Sequence, residues 1–174
     1  MTQMNAYIAL LRAVNVGGTG KLPMTELKAM CETAGFKSVR TYIASGNVVF
    51  TSAKSGSQVK VALEAALAKY AGKPVGVMVR TVAGMAAVLA KSPFPQMPGN
   101  RTHAFFLDEP PAVDALEAVS YRKDEEIQLG HREIYVYYPH GMGDSRLKIP
   151  AAKNGTARNM NTIATLAEMA GNLL

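Results

Sequence analysis

A single cysteine, Cys31, stands in the 174-residue sequence, so no disulfide can close within the chain. The three histidines, His103, His131 and His140, are scattered too widely to build a zinc set at familiar spacings, and no metal site is expected. No uninterrupted apolar run approaches the roughly 18–20 residues of a membrane-spanning helix. The start, Met1-Thr2-Gln3-Met4-Asn5, has neither the basic opening nor the apolar core of a signal peptide. A soluble, cytoplasmic protein is therefore expected. Acidic residues are scarce in the first half: residues 1–90 carry three glutamates against ten Lys/Arg, a balance of +7, whereas residues 91–174 carry ten acids against nine bases. The formal net charge of +6 thus belongs to the first half, which suits an anionic partner, either a phosphate-bearing small molecule or nucleic acid. Singly spaced lysines on a solvated surface would give the same balance.

What is present organises itself from the N-terminus. Residues 5–11 form a continuous apolar run of strand length, as in a central strand covered on both faces. A polar, glycine-rich turn follows, Arg12 to Lys21, and then a helix opened by Pro23, where a missing N–H costs nothing. Met24, Leu27, Cys31 and Ala34 recur at helical spacing, which makes Cys31 a packed thiol rather than a nucleophile. Gly35 with Phe36 behind it reads as the helix stop. Residues 38–44 and 47–52, rich in β-branched and aromatic side chains, flank Ser45-Gly46 as a hairpin. Ser55 or Ser57 caps a second helix that ends at Gly72, and a strand over 75–80 completes the order βαββαβ, the split arrangement of ferredoxin-like domains.

A third helix begins at Thr81 and stops at Ser92-Pro93. The proline-rich stretch 93–101 serves as a linker, which separates residues 1–92 from 102–174. Beyond it the spacing predicts a strand over 102–107, a helix near 112–120, strands near 125–129 and over 134–138, a short helix at 145–147 and a C-terminal helix. The expected fold is α+β, two α/β-plait subdomains with antiparallel sheets, the second a partial repeat of the first. Along 134–138, alternation puts Tyr135 and Tyr137 on one face, expected to be partly exposed, and Ile134, Val136 and Tyr138 on the other. The polar stretch 156–162 reads as the opening of the last helix, with amides and hydroxyls able to cap it.

The chemistry concentrates where two turns meet. If the turn after the first strand lies beside Ser45-Gly46-Asn47, then Arg12, Asn15, Lys21, Ser45 and Asn47 bring a guanidinium, two amides, an ammonium and a hydroxyl to one sheet end. Backbone N–H groups and a helix start add to such a cradle for phosphate. The phosphate-loop pattern fails, since Asn15 stands where its first glycine is required and Leu22 follows the lysine; the dinucleotide fingerprint fails at Pro23. No cofactor is expected. Base stacking of the RNA-recognition kind would use Tyr7 on the first strand, but the third strand lacks the aromatic pair; a looser backbone contact through Arg12, Lys21, Lys37 and Arg40 stays open. A small enzyme acting on a phosphorylated or acyl substrate at the same edge is the alternative, although no general base is evident: Asp124-Glu125-Glu126 reads as a solvated strand start, and His131 and His140 as loop residues. A structural or assembly protein without ligand is the third reading.

Three stretches, Leu10 to Gly18 with Lys21-Leu22-Pro23-Met24, Tyr42 to Phe50, and Thr156 to Thr162, resemble the signature segments of a bacterial family, DUF1697, over nearly the whole chain. The resemblance implies two α/β-plait subdomains and no established activity. It directs attention to Arg158 and Asn159 beside the five residues above. Met160 stands where the family pattern favours tryptophan, a departure that argues against aromatic stacking there.

Overall fold

The computed structural model describes residues 3–12 and 21–174, and the chain divides into two units, Met1–Met85 with Thr165–Leu174, and Ala86–Ala164. In the first, strand β1 (Asn5–Leu11) is central in a four-stranded antiparallel sheet ordered β2-β3-β1-β4, with β2 at Lys37–Thr41, β3 at Asn47–Ser52 and β4 at Val77–Thr81. The uninterrupted apolar run of β1 has its expected cause: every residue from Ala6 to Leu11 is buried, so both faces of the strand are covered. Helices α1 (Met24–Thr33) and α2 (Gly56–Ala71) cover one face, where Tyr7, Ala9, Leu11, Val48 and Phe50 pack against Leu27, Cys31, Val59, Leu63 and Leu67.

Local signals set the helix ends. Pro23 stands in extended conformation just before α1, and the helix closes with the Phe36 N–H donating to the Cys31 carbonyl (3.0 Å) across Gly35, whose φ of +91° suits glycine. The buried Phe36 then continues the core. Ser55 and Gln58 form a reciprocal capping box on α2, the Gln58 N–H donating to Ser55 Oγ and the Ser55 N–H to Gln58 Oε1; such caps contribute about 1 kcal/mol. Gly72 ends α2 in the left-handed region. Cys31 is wholly buried in this core, and desolvation pushes its thiol up to about 12, which leaves it inert as a nucleophile.

Helix α3 (Val82–Ala90) follows β4. The second unit repeats the strand plan: β5 (Thr102–Phe106), β6 (Glu126–Leu129), β7 (Glu133–Tyr137) and β8 (Thr156–Asn159) form a second antiparallel sheet ordered β6-β7-β5-β8. The order is that of the first sheet, so the fold is α+β with two ferredoxin-like arrangements. The helices do not repeat. Where the sequence predicts a helix near 112–120 there is a single 3-10 turn, Ala115–Ala118, with Val113 almost fully exposed; helical spacing alone did not supply a face for a full helix to bury. The short helix expected at 145–147 is replaced by 3-10 turns at Met142–Asp144 and Pro150–Ala152.

Two further expectations are corrected. Residues Thr156–Asn159 are strand β8, paired with β5, and helix α4 (Met160–Gly171) begins only after them. Tyr135 shares a face with Tyr137 as alternation requires, but Tyr135 is buried and its hydroxyl donates to the Val88 carbonyl (2.8 Å). Burial pushes that phenol up to about 12. Of the two tyrosines, only Tyr137 keeps partial exposure. Among the described residues no helix is long and apolar enough to cross a membrane.

Candidate functional site

At the end of the first sheet, β1 runs out between two neighbours. The Leu11 N–H donates to the Gly46 carbonyl (2.8 Å) and the Arg12 N–H to the Gly76 carbonyl (2.9 Å). Leu10 pairs with Asn47 and Leu11 with Val77. Half-buried Arg12 is thus fixed where the hairpin turn and the start of β4 meet, its stem lying against Gly76, where an added Cβ would sit 3.6 Å from Arg12 Cδ. Asn47 is fully buried and locks the turn, its Nδ2 donating to the Tyr42 carbonyl and to Ser45 Oγ, both at 2.9 Å. The Tyr42 N–H returns a bond to the Asn47 carbonyl. Arg12, Ser45 and Asn47 are therefore brought to one sheet end, with the Asn47 amide spent on holding the turn in shape. Lys21 is exposed just ahead of α1, and Asn15 lies outside the described residues.

Arg158 and Asn159 belong to β8, in the second unit. Arg158 is buried; its Nη1 donates to Thr156 Oγ1 (2.7 Å) and to the Ala157 carbonyl (2.8 Å), and desolvation lowers its guanidinium to about 10, still charged at neutral pH. Asn159 Oδ1 accepts from the Thr162 N–H (2.9 Å) and caps the first turn of α4. The first unit has the same device one strand end earlier in the chain: buried Arg80 donates from Nη1 to the Val79 carbonyl, and Thr81 Oγ1 accepts from the Gly84 N–H at the start of α3. An arginine followed by a capping side chain, where the last strand of each unit gives way to a helix, is a property of the repeat.

Tyr7 is not available for stacking. It is buried on the helix-covered face, its hydroxyl donating to the Lys54 carbonyl (2.6 Å), and all of β3 is buried as well. Lys37 and Arg40 remain exposed along β2.

Sequence reasoning missed a second constellation. Asp124 and Glu125 are not simply a solvated strand start. Glu125 is buried; Ser145 Oγ donates to its Oε2, the Lys123 N–H donates to its Oε1 (2.7 Å), and these bonds, the serine's first, hold its carboxyl below the usual range. His140 Nε2 meets Asp124 Oδ2 at 2.7 Å in an exposed pair. All four side chains line a cavity of about 260 Å³ in the second unit. Ser145 lies twenty residues from Glu125, and no local spacing announces such a pairing. Among the described residues no group of three His, Cys, Asp or Glu side chains is placed to hold a metal ion.

His103 gives a pH test of the same unit. It is buried edge-on against Tyr138 with ring centroids 5.3 Å apart, and its Nδ1 has no hydrogen-bond partner. Desolvation lowers its pKa from the ordinary 6.5, opposed in part by a backbone bond at Arg101. The unfolded chain therefore takes up a proton at His103 before the native one does, so the contribution to stability is complete above pH 6.5 and declines as the pH falls from there toward the folded pKa. Urea unfolding at pH 7.5 and 5.5 is expected to show a steeper loss for the natural protein than for His103→Phe; equal losses would contradict the assignment.

No match was found among curated proteins. Of solved structures, "conserved bacterial protein SP0830 from Streptococcus pneumoniae" is 27% identical with a TM-score of 0.79, covering 97% of this chain and 99% of that one. An "unknown protein from Galdieria sulphuraria", 12% identical with a TM-score of 0.29 over 98% and 92% of the two chains, is too distant to carry an argument. The sequence model of the family described as "Protein of unknown function (DUF1697)" matches residues 4–135, and with three quarters of its length matched the chain belongs to that family.

Proposed function

We propose that the first unit is a binding module for a phosphate-bearing ligand, a nucleotide or the phosphate backbone of a nucleic acid, held at the end of β1 by Arg12. The observation that carries the reading is the pair of backbone bonds, Leu11 to Gly46 and Arg12 to Gly76, which fix the base of a cationic side chain between two turns. A guanidinium matches phosphate oxygens two at a time, and a stem held against Gly76 has less freedom to lose on binding. The positive balance of residues 1–90 adds a field that favours anions. Lys21, Ser45 and Asn47 contribute in different ways: Lys21 adds charge from its exposed position, while Ser45 and Asn47 give the turn its shape. Asn15 joins by its place in the sequence, whereas Arg158 and Asn159, to which the resemblance directs attention, belong to β8 of the second unit. The cytoplasm of a bacterium, where nucleotides are abundant and thiols such as Cys31 stay reduced, is the setting this reading assigns.

The test is a thermal-shift screen with nucleotides, sugar phosphates, acyl phosphates and short RNA and DNA, repeated at raised salt. A ligand at a hundred times its Kd adds about 2.7 kcal/mol to the folded state, a shift of several degrees in Tm. The expected result is a shift by a phosphate compound that disappears in Arg12→Ala, with the free variant melting as before. A shift by oligonucleotides alone that collapses with salt selects the nucleic-acid backbone. Release of phosphate or an acyl group from the bound compound would move the assignment to an enzyme at the same edge. No shift with any compound, together with a concentration-dependent oligomer, would replace the binding reading by one of assembly.

A further inference from the structure

The two units share a strand order but not their coverings, and the difference leaves room in the second. In the first unit α1 and α2 seal the sheet face that carries Tyr7 and Phe50. In the second, the corresponding helices are reduced to single 3-10 turns. The face carrying Ile134, Val136 and Tyr138 lies instead under irregular chain, with Phe105, Leu147 and Ile149 only partly buried against it. Two cavities open there. One, of about 230 Å³, the more apolar in its residues, is lined by Phe105, Met142, Leu147 and Ile149, with Lys153 adding polar surface to the same wall. The other, of about 260 Å³, is polar and includes Tyr121, Asp124, His140 and Arg146. Tyr138 and Ser145 line both.

We propose that these adjoining cavities form a binding site for a small primary amine with an aromatic or branched aliphatic body, the body seated against Phe105, Leu147 and Ile149 and the ammonium directed to Glu125. An apolar cavity of about 150 Å³ already accepts a benzene ring, so the apolar chamber has room for one. Ligand pockets of this type join apolar walls to a few placed polar groups. Glu125 is the buried charged group of the polar chamber and lies beside the shared Ser145. Its oxygens accept from Ser145 Oγ, the Lys123 N–H and its own backbone N–H, with the Arg122 charge nearby, and a carboxylate has roughly four acceptor positions. Capacity remains for an ammonium hydrogen. Lys123 and Arg146 at the same chamber oppose a second positive charge, which restricts the site to monoamines.

Phenethylamine is the probe, tested on the full chain by titration calorimetry and by backbone amide shifts, with 3-phenylpropionate as the acid of similar shape. The expected result is saturable binding of the amine with shifts confined to 121–125 and 138–153. Glu125→Gln weakens it by roughly tenfold or more, the loss typical of a hydrogen bond to a charged group. Met142→Trp, placed at an exposed position on the apolar chamber, blocks the amine without unfolding the chain and decides the matter if Glu125→Gln is poorly folded. The proposal is overturned if the acid binds as tightly as the amine, if either folded variant keeps full affinity, or if the shifts are absent or fall elsewhere.

Discussion

Replacing Phe50 by alanine is expected to lower the unfolding free energy by about 3–5 kcal/mol, measured by urea unfolding of the two proteins side by side. Phe50 has no exposed surface and stacks on Phe36, with ring centroids 4.3 Å apart and planes 7° from parallel. It also meets Tyr7, its partner in the β1–β3 register, at 6.0 Å. Removing the ring leaves a cavity between Phe36 and Tyr7, beside paired strands whose backbone hydrogen bonds keep it from collapsing. The loss combines transfer of the ring with the emptied volume, and aromatic pairing adds about 0.5–1.5 kcal/mol of the whole. A loss below about 1.5 kcal/mol would mean that Phe36 and Tyr7 can close the gap. The functional consequence is that Tyr7 and Phe50, the aromatics of the two central strands, are committed to the core and are closed to base stacking.

The fold was legible where the information is local. Pro23, Gly35, Ser55 and Gly72 punctuate their helices because a cap needs only neighbours within one turn. The apolar run of β1 announced a central strand because a strand covered on both faces has no polar side to alternate with. Residues Thr156 to Asn159 carry neither an apolar run nor apolar alternation, and their strand state comes from hydrogen bonds to β5, some fifty residues earlier. The 3-10 turn at Ala115–Ala118 failed in the opposite way: its sequence is helical in spacing, but a helix persists only if one face is buried.

The candidate sites divide along the same line. That Arg12 and Asn47 share a sheet end followed from a hairpin and a central strand, both readable locally. That the Asn47 amide is spent on the Tyr42 carbonyl and Ser45 was not readable, since an asparagine in a turn looks the same whether it faces its own backbone or a ligand. Glu125 was hidden for a different reason. Its burial depends on Ser145 reaching back across an irregular segment whose path no periodicity encodes.

Gly155→Ala is expected to destabilise the protein by about 2–3 kcal/mol, whereas Gly76→Ala, at the matching place in the first unit, changes stability by no more than about 1 kcal/mol. Each glycine immediately precedes the last strand of its sheet, β8 or β4. A Cβ on Gly155 would lie 2.5 Å from the Phe106 carbonyl oxygen and 2.9 Å from Leu107 Cδ2. The leucine can turn aside, but the carbonyl belongs to backbone fixed beside Thr156 in the β5–β8 register. Relief therefore requires β8 to move away from β5, which disturbs the pairing of Arg158 with Ala104 and the strand end from which Asn159 caps α4. At Gly76 the nearest atom is Arg12 Cδ at 3.6 Å, an ordinary contact with a flexible stem. Denaturant unfolding of both variants decides between a steric origin and a general need for glycine before these strands: equal losses would reject the steric account. Because Gly76→Ala adds a methyl group beside Arg12 without removing the guanidinium, its phosphate response in the thermal-shift screen is expected to persist where that of Arg12→Ala is lost.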